Sequence, residues 1–304
     1  MTKTRIEWAD EVWNPVTGCT KVSEGCRHCY AERIMARFGG GRKFTDVQIH
    51  PDRLDDPLHW KKPRRVFVNS MSDLFHDKVS LWFIARVFAY MAACPEHTFM
   101  VLTKRPFTMH WLVDNKDWAD EVQKIFLGIV DNGPTLKWPL PNVWLGVSVE
   151  NQKAADERIP LLLATPAAVR FVSCEPLIGP VILREEWMPH YDATQHYAID
   201  PPNYRDKISW AICGGESGPG ARPMHPQWVR SLRDQCRDAS VPFFFKQWGE
   251  WRPGGPSETI LEDTGTIQGK LVYMNRHPVP VVRVGKKVAG RELDGLTWEE
   301  YPGE

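Results

Sequence analysis

Seven short apolar runs recur along the chain, and most of them do not alternate between apolar and polar residues. They cover Glu11 to Pro15, Arg65 to Asn69 (RVFVN), Thr98 to Thr103 (TFMVLT), Val143 to Val149 (VWLGVSV), Val169 to Cys174 (VRFVSC), Ile208 to Cys213 (ISWAIC) and Pro242 to Lys246 (PFFFK). A strand with one wet face alternates, whereas one covered on both faces reads as a continuous apolar run. The runs therefore predict strands buried on both faces of a parallel sheet. Helical spacing appears between them. Ala31, Ile34, Met35 and Phe38 share a face, and Ser80 caps a segment carrying Ile84, Val87, Phe88 and Met91. Ala155, Ile159 and Leu162 form a third stripe, which Pro160 is expected to kink or split. Pro226 suits a first helical turn ahead of Trp228, Val229, Leu232 and Cys236. Repeated strand–helix units imply either a barrel or a doubly wound layer, and seven strands favour the barrel. The predicted fold class is α/β, a partial (β/α) barrel with a small C-terminal appendage.

The barrel is expected over residues 1–250, interrupted by an aromatic, polar insertion at about 185–207. Residues 251–304 form the appendage, where Lys270 to Tyr273 and Val279 to Val284 read as a hairpin. With 304 residues and 42% of them hydrophobic, the chain has enough material for one large core. The 38 basic and 38 acidic residues cancel, which excludes a global electrostatic footprint for nucleic acid or anionic membrane. The first ten residues lack a signal-peptide core, and Leu81 to Cys94 is too short to span a bilayer. A cytoplasmic protein with no membrane partner is expected. The fourteen tryptophans read as core fillers and rim contacts, or in part as a cleft lining.

Seven cysteines is an odd count, and in a reducing compartment a clustered subset points to metal or catalysis. Cys19, Cys26 and Cys29 fall within eleven residues as C-x6-C-x2-C, flanked by Gly18 and Gly25. A helix is expected directly afterwards, its positive end towards the thiolates. Two metal readings stand. One is an iron–sulfur cluster. The other is zinc, completed by His28 or a distant cysteine, although structural zinc motifs use a second cysteine pair and none is present.

The segment WNPVTGCTKVSEGCRHCYAER resembles an uncharacterised radical S-adenosylmethionine (SAM)-like family found in bacteriophage and prophage genomes. SDLFH, LTKRP, GVSVEN, SCEPLIGP, GGESGPGARP and FKQWGEW look like that family too. More distantly the chain is similar to spore photoproduct lyase, a radical SAM enzyme acting on thymine dimers. The first cysteine gap is six residues here, where the familiar radical SAM spacing has three. The resemblance implies that the three cysteines hold a 4Fe–4S cluster with one open iron. That iron would take SAM, whose reductive cleavage gives a 5′-deoxyadenosyl radical. It also implies a reductant such as flavodoxin or ferredoxin, and a nucleic-acid base as the substrate class.

Reactive groups of a (β/α) barrel sit at the C-terminal ends of its strands, and that rule sorts the other candidates. Asn69, Ser70, Ser72 and Asp73 follow the second strand, where the resemblance places the SAM amino group; a capped polar turn is the plain alternative. Lys104 follows the third strand and could meet a carboxylate or phosphate, or be a solvated charge. Ser148, Glu150 and Asn151 follow the fourth; the resemblance assigns them the ribose, and a helix cap is the alternative for Asn151. Cys174 and Glu175 end the fifth. Cys174 is a candidate hydrogen-atom donor or an inert core thiol, and Glu175 a candidate to orient or deprotonate substrate. Gly214, Gly215 and Glu216 open a glycine-rich segment without a Walker lysine, read as a SAM or substrate contact or as a plain loop. Lys246 and Gln247 end the seventh strand. The basic run Lys61-Lys62-Pro63-Arg64-Arg65 reads as a solvated turn before a phosphate patch.

Overall fold

The structure is a computed structural model, and it describes residues 4, 6–189, 206–254, 268–274 and 277–303. Seven strands form the main sheet: β1 (Glu11–Trp13), β2 (Arg65–Val68), β3 (Thr98–Thr103), β4 (Val143–Ser148), β5 (Val169–Cys174), β6 (Trp210–Gly214) and β7 (Phe243–Gln247). Their order in the sheet is their order in the chain, β1 to β7. The β1–β2, β2–β3, β3–β4 and β6–β7 ladders run parallel. A doubly wound sheet reverses its order at a switch point. This one never reverses, which is the winding of a partial (β/α) barrel.

Each expected strand is present within two residues of its expected ends. The reason is the one anticipated: residues of β3, β4, β5, β6 and β7 are buried along almost the whole run. Arg170 inside β5 is buried and bonded to backbone carbonyls. Its guanidinium donates to the Thr165 carbonyl at 2.7 and 3.0 Å and to the Ala167 carbonyl at 3.3 Å.

By compactness the chain divides into two units. Met1–Val22, Ala31–Val147 and Arg158–Phe171 form the first; Ser23–Tyr30, Ser148–Glu157 and Val172–Glu304 form the second. In the first unit, α2 (Leu81–Ala92) starts at Ser80, whose hydroxyl accepts from the Phe83 amide at 3.3 Å. The apolar stretch Leu81 to Cys94 is this buried helix, and no described helix is long and apolar enough to cross a membrane. Two helices that the sequence analysis did not single out follow β3. They are α3 (Pro106–Val113) and α4 (Lys116–Ile129), the latter capped by Asn115 and packed through Trp118 on Phe88, ring centroids 5.0 Å apart. The chain is not split at Pro160: α5 (Gln152–Ala164) runs through it as one helix. Pro160 lies on the exposed side with Asp156, so the lost backbone bond falls away from the core.

In the second unit, α6 (Pro226–Asp238) buries Trp228, Val229, Leu232 and Cys236, the stripe read from the sequence. The appendage is an antiparallel sheet with β8 (Trp251–Pro253) beside β10 (His277–Arg283) and β9 (Gln268–Met274) on its far side. The expected hairpin is thus present with a third strand. Trp251, Ala221 and Val281 make a small buried cluster, and the Trp251 indole donates to the Ala221 carbonyl at 2.7 Å. Most of the 185–207 insertion lies outside the described residues. Its described ends meet, the Ile208 amide donating to the Trp187 carbonyl at 2.9 Å. Most tryptophans are core, and they staple loops: Trp13, Trp210 and Trp248 donate to the carbonyls of Arg53, Glu300 and Glu292.

Candidate functional site

In the first unit the polypeptide leaves β1 and reaches Cys19 through a tightly bonded bend. Gly18 has φ +89°, and a β-carbon there would meet the Asp46 carbonyl oxygen at 2.6 Å, so only glycine fits. The Gly18 amide donates to the Met71 carbonyl at 3.0 Å and the Cys19 amide to the Phe44 carbonyl at 2.8 Å. The segment after β2 is therefore the bend's bed. Its polar side chains are largely engaged with the chain itself. Ser70 donates to Asn14 at 3.2 Å, Ser72 to the Val16 carbonyl at 2.9 Å, and Asn69 accepts from the Val16 amide at 3.2 Å.

Asp73 is the hub of this half. It is buried and accepts from the Phe75 amide (3.1 Å), the Thr103 hydroxyl (2.7 Å), the Lys104 amide (3.1 Å) and Arg105 Nη1 (3.0 Å). Arg105 then reaches the cysteine bend. Nη1 lies 3.6 Å from Cys19 Sγ, and Nη2 donates to the Thr20 carbonyl (3.1 Å) and hydroxyl (2.9 Å). Burial works against the Arg105 charge, but Asp73 and Cys19 outweigh it and hold its pKa above the ordinary value. The Thr20 hydroxyl also meets His76 Nε2 at 2.9 Å. Burial, and then Arg105, lowers the His76 pKa from its ordinary value. Among the candidates after β2, Asn69 stands apart. It is buried in the left-handed region (φ 61°), and its side-chain Nδ2 has no hydrogen-bond partner.

In the second unit Cys26 ends a turn at Glu24–Cys26, and Cys29 directly precedes α1 (Tyr30–Phe38). Glu150, 1% exposed, forms the floor of that turn: its carboxylate accepts from Ser23 Oγ at 2.5 Å. A β-carbon at Gly25 would lie 2.3 Å from Glu150 Cγ, which explains the glycine before Cys26. Ser23 Oγ is 3.8 Å from Cys26 Sγ. A second arginine–carboxylate pair holds the same turn. Arg222 is clasped by Glu216 through Nε (2.9 Å) and Nη2 (2.7 Å), and Nη2 also donates to the Glu24 carbonyl at 3.0 Å. The hydrogen bond to Glu216 is the largest cause holding the Arg222 pKa up. His28 lies against Gly220, where a β-carbon would come within 3.0 Å of the ring.

The glycine-rich segment has a structural explanation of its own. A β-carbon at Gly215 would sit 1.9 Å from the Trp248 carbonyl oxygen, so the backbone it approaches is this chain's. Glu175 pairs with Lys246 at 2.6 Å, and Gly214 packs beside that carboxylate. Asn151 caps α5, its Oδ1 accepting from the Ala154 amide at 3.0 Å. Ser148 is buried at the end of β4. Of the basic run, Arg64 pairs with Glu11 and Arg65 with Asp10, while Lys61 and Lys62 are exposed.

The seven cysteines are all free, and they sort into two classes. Cys19, Cys26 and Cys29 are partly exposed; Cys94, Cys174, Cys213 and Cys236 are buried. Burial pushes the Cys94 and Cys174 thiols up to about 12, with Glu96 and Glu150 adding to it respectively, and holds Cys213 and Cys236 well above the ordinary thiol value. Among the described residues no group of three or more His, Cys, Asp and Glu side chains is arranged as a metal site. Two functional candidates were missed in the sequence: Arg105 and Arg222. Both follow strand ends, the signal that picked their neighbours Lys104 and Glu216. What sequence lacks is the direction in which each side chain leaves the strand end.

Among solved structures, the chain is similar to a spore photoproduct lyase carrying a single cysteine substitution. The TM-score is 0.41 at 10% identity, covering 93% of this chain and 71% of that one. A second variant of that lyase, with bound AdoMet and dinucleoside spore photoproduct, aligns with a TM-score of 0.41 at 11% identity, covering 93% of this chain and 70% of that one. No curated protein matches. A family model described as protein of unknown function (DUF5131) matches residues 3–302, almost the whole chain, and the chain belongs to that family.

Proposed function

We propose that this protein is a radical SAM enzyme whose Cys19, Cys26 and Cys29 ligate a 4Fe–4S cluster. One observation carries the reading. Only these three of the seven thiols are accessible, and their segment is gripped at Thr20 and at Glu24 by two arginines, each backed by a buried carboxylate. The four other thiols are buried with raised pKa values, so they are poor thiolate ligands. Three thiolates suit a cubane cluster with one open iron better than closed four-ligand zinc. When bound, the cluster and SAM would supply the reductive cleavage that yields a 5′-deoxyadenosyl radical.

The chain's own residues have separable tasks in this reading. Arg105 and Arg222 hold the cysteine segment, and Asp73, Glu150 and Glu216 brace it. Asn69 brings a buried amide with an unused donor, suited to a carboxylate or hydroxyl of SAM. Ser70, Ser72, Ser148, Asn151, Gly214 and Gly215 shape the backbone around these groups. Cys174 keeps its proton at neutral pH, the form a hydrogen-atom donor needs. Glu175 and Lys246 form a charge pair that can orient a polar substrate. A nucleic-acid base is the proposed substrate class, on the strength of the motif resemblance, with an iron–sulfur or flavin reductant as electron source.

The test is anaerobic reconstitution of the full chain with ferrous iron and sulfide, followed by reduction in the presence of SAM. About four irons and four sulfides per chain and release of 5′-deoxyadenosine are expected. A colourless protein holding one zinc and forming no 5′-deoxyadenosine would replace this reading with a zinc-stabilised, non-enzymatic one.

A further inference from the structure

The Arg105 guanidinium is committed in an unusual way. A buried arginine beside an aspartate ordinarily satisfies itself with a bidentate pair. Here only Nη1 reaches Asp73, at 3.0 Å, and the same nitrogen lies 3.6 Å from Cys19 Sγ. Nη2 turns to Thr20, bonding both its carbonyl and its hydroxyl. The side chain is 13% exposed and that of Asp73 7%, so both charges are largely withdrawn from water. Withdrawing them costs free energy that the pair alone does not recover fully. What the arrangement gains is a fixed positive charge beside a thiol sulfur. Asp73 cannot swing away, because the Thr103 hydroxyl and the amides of Phe75 and Lys104 hold it in place.

We infer that Arg105 is a positioning residue that tunes the electron affinity of whatever Cys19 ligates, by donating a charge-assisted hydrogen bond to the ligand sulfur. The inference rests on the cluster assignment above and deepens it. Hydrogen bonds to ligand sulfurs and local net charge are among the groups that set iron–sulfur potentials. A cation beside the sulfur stabilises the reduced cluster, which carries one more negative charge, and so raises its potential. Arg105 therefore works against the very low potential of a cluster held by three bare thiolates, and brings reduction within reach of a milder donor.

The experiment uses the full-length protein reconstituted anaerobically with iron and sulfide, without SAM. Midpoint potential is read by redox titration followed by electron paramagnetic resonance, and iron content is read in parallel. Arg105→Gln is expected to keep the iron content of wild type and to shift the potential to a more negative value. Arg105→Lys keeps the charge but loses the planar fork, and is expected to shift it less. An Arg105→Gln protein with full iron and an unchanged potential would overturn the inference. Should Arg105→Gln fail to hold a cluster, Arg105→Lys decides: a shifted potential supports the inference and an unchanged one overturns it. Loss of iron from both variants, with far-ultraviolet circular dichroism intact, would overturn tuning in favour of an assembly role. A wild type that takes up no iron would instead overturn the radical SAM reading, and the inference falls with it.

Discussion

Gly25 has no room for a side chain, since a β-carbon there would lie 2.3 Å from Glu150 Cγ. Gly25→Ala should therefore push a buried carboxylate off its floor, at a cost of about 1–3 kcal/mol. Urea denaturation of Gly25→Ala, Glu150→Ala and the double variant checks this. The double variant should be clearly more stable than the sum of the single losses, because the clash needs both partners. Strict additivity would mean that this contact is not what demands glycine. The thiols make a second expectation. Iodoacetamide at pH 8 should alkylate Cys19, Cys26 and Cys29 in iron-free protein and leave the other four until the chain is unfolded, as counted by mass spectrometry. The buried class also carries a pH dependence. The folded pKa of Cys174 is raised to about 12 from 9.0, so above pH 9 the unfolded chain loses a proton that the native chain keeps. The native state then binds more protons, and stability falls as pH rises from 9 towards 12. A Cys174→Ala variant should lose less stability than wild type between pH 9 and 10.5, by up to about 1.4 kcal/mol per pH unit.

Among elements, α2 is the clearest case of local sequence acting alone. Ser80 stops the preceding chain and accepts from Phe83, while Ile84, Val87, Phe88 and Met91 bury the face that spacing assigned them. Ser80→Ala should cost about 1 kcal/mol in thermal or chemical unfolding, and Ser80→Asp should recover most of it. An Asp variant no better than Ala would show that the cap bond contributes nothing. The seven strands were legible for the same reason: a run buried on both faces has few polar positions and is easily seen. Helix α4 carries a legible pattern as well. Asn115 caps it, and Trp118, Val122 and Phe126 fall four residues apart. Helix α3 had no such signal, since PFTMHWLV is apolar on most sides. Pro160 does not split its helix, and spacing does not reveal that a proline's missing bond faces solvent.

At the scale of the whole molecule, β7 ends the strand order and would present an open edge of phenylalanines. The C-terminal segment covers it. The Phe245 amide donates to the Trp298 carbonyl at 3.0 Å, the Phe243 amide to Glu300 Oε2 at 2.8 Å, and the Tyr301 ring packs on Trp210 and Phe244. Deleting residues 298–304 should lower the melting temperature by several degrees and promote self-association on size-exclusion chromatography. An unchanged, monodisperse melt would show the edge needs no cover. This cover was not foreseen, because nothing in TWEEYPG marks it as a partner of a strand fifty residues earlier. The sequence by itself determined the strand runs, their burial and the cysteine spacing, since periodicity and local chemistry are written along the chain. It also pointed to strand ends as the place for polar groups. Only the tertiary structure decided which of those groups face each other. It committed Asp73 to Arg105, Glu216 to Arg222 and Glu150 to Ser23, and left Asn69 Nδ2 unpaired. Those pairings join residues far apart in the chain, and they depend on how strands register and where each side chain leaves the backbone, which local sequence does not encode.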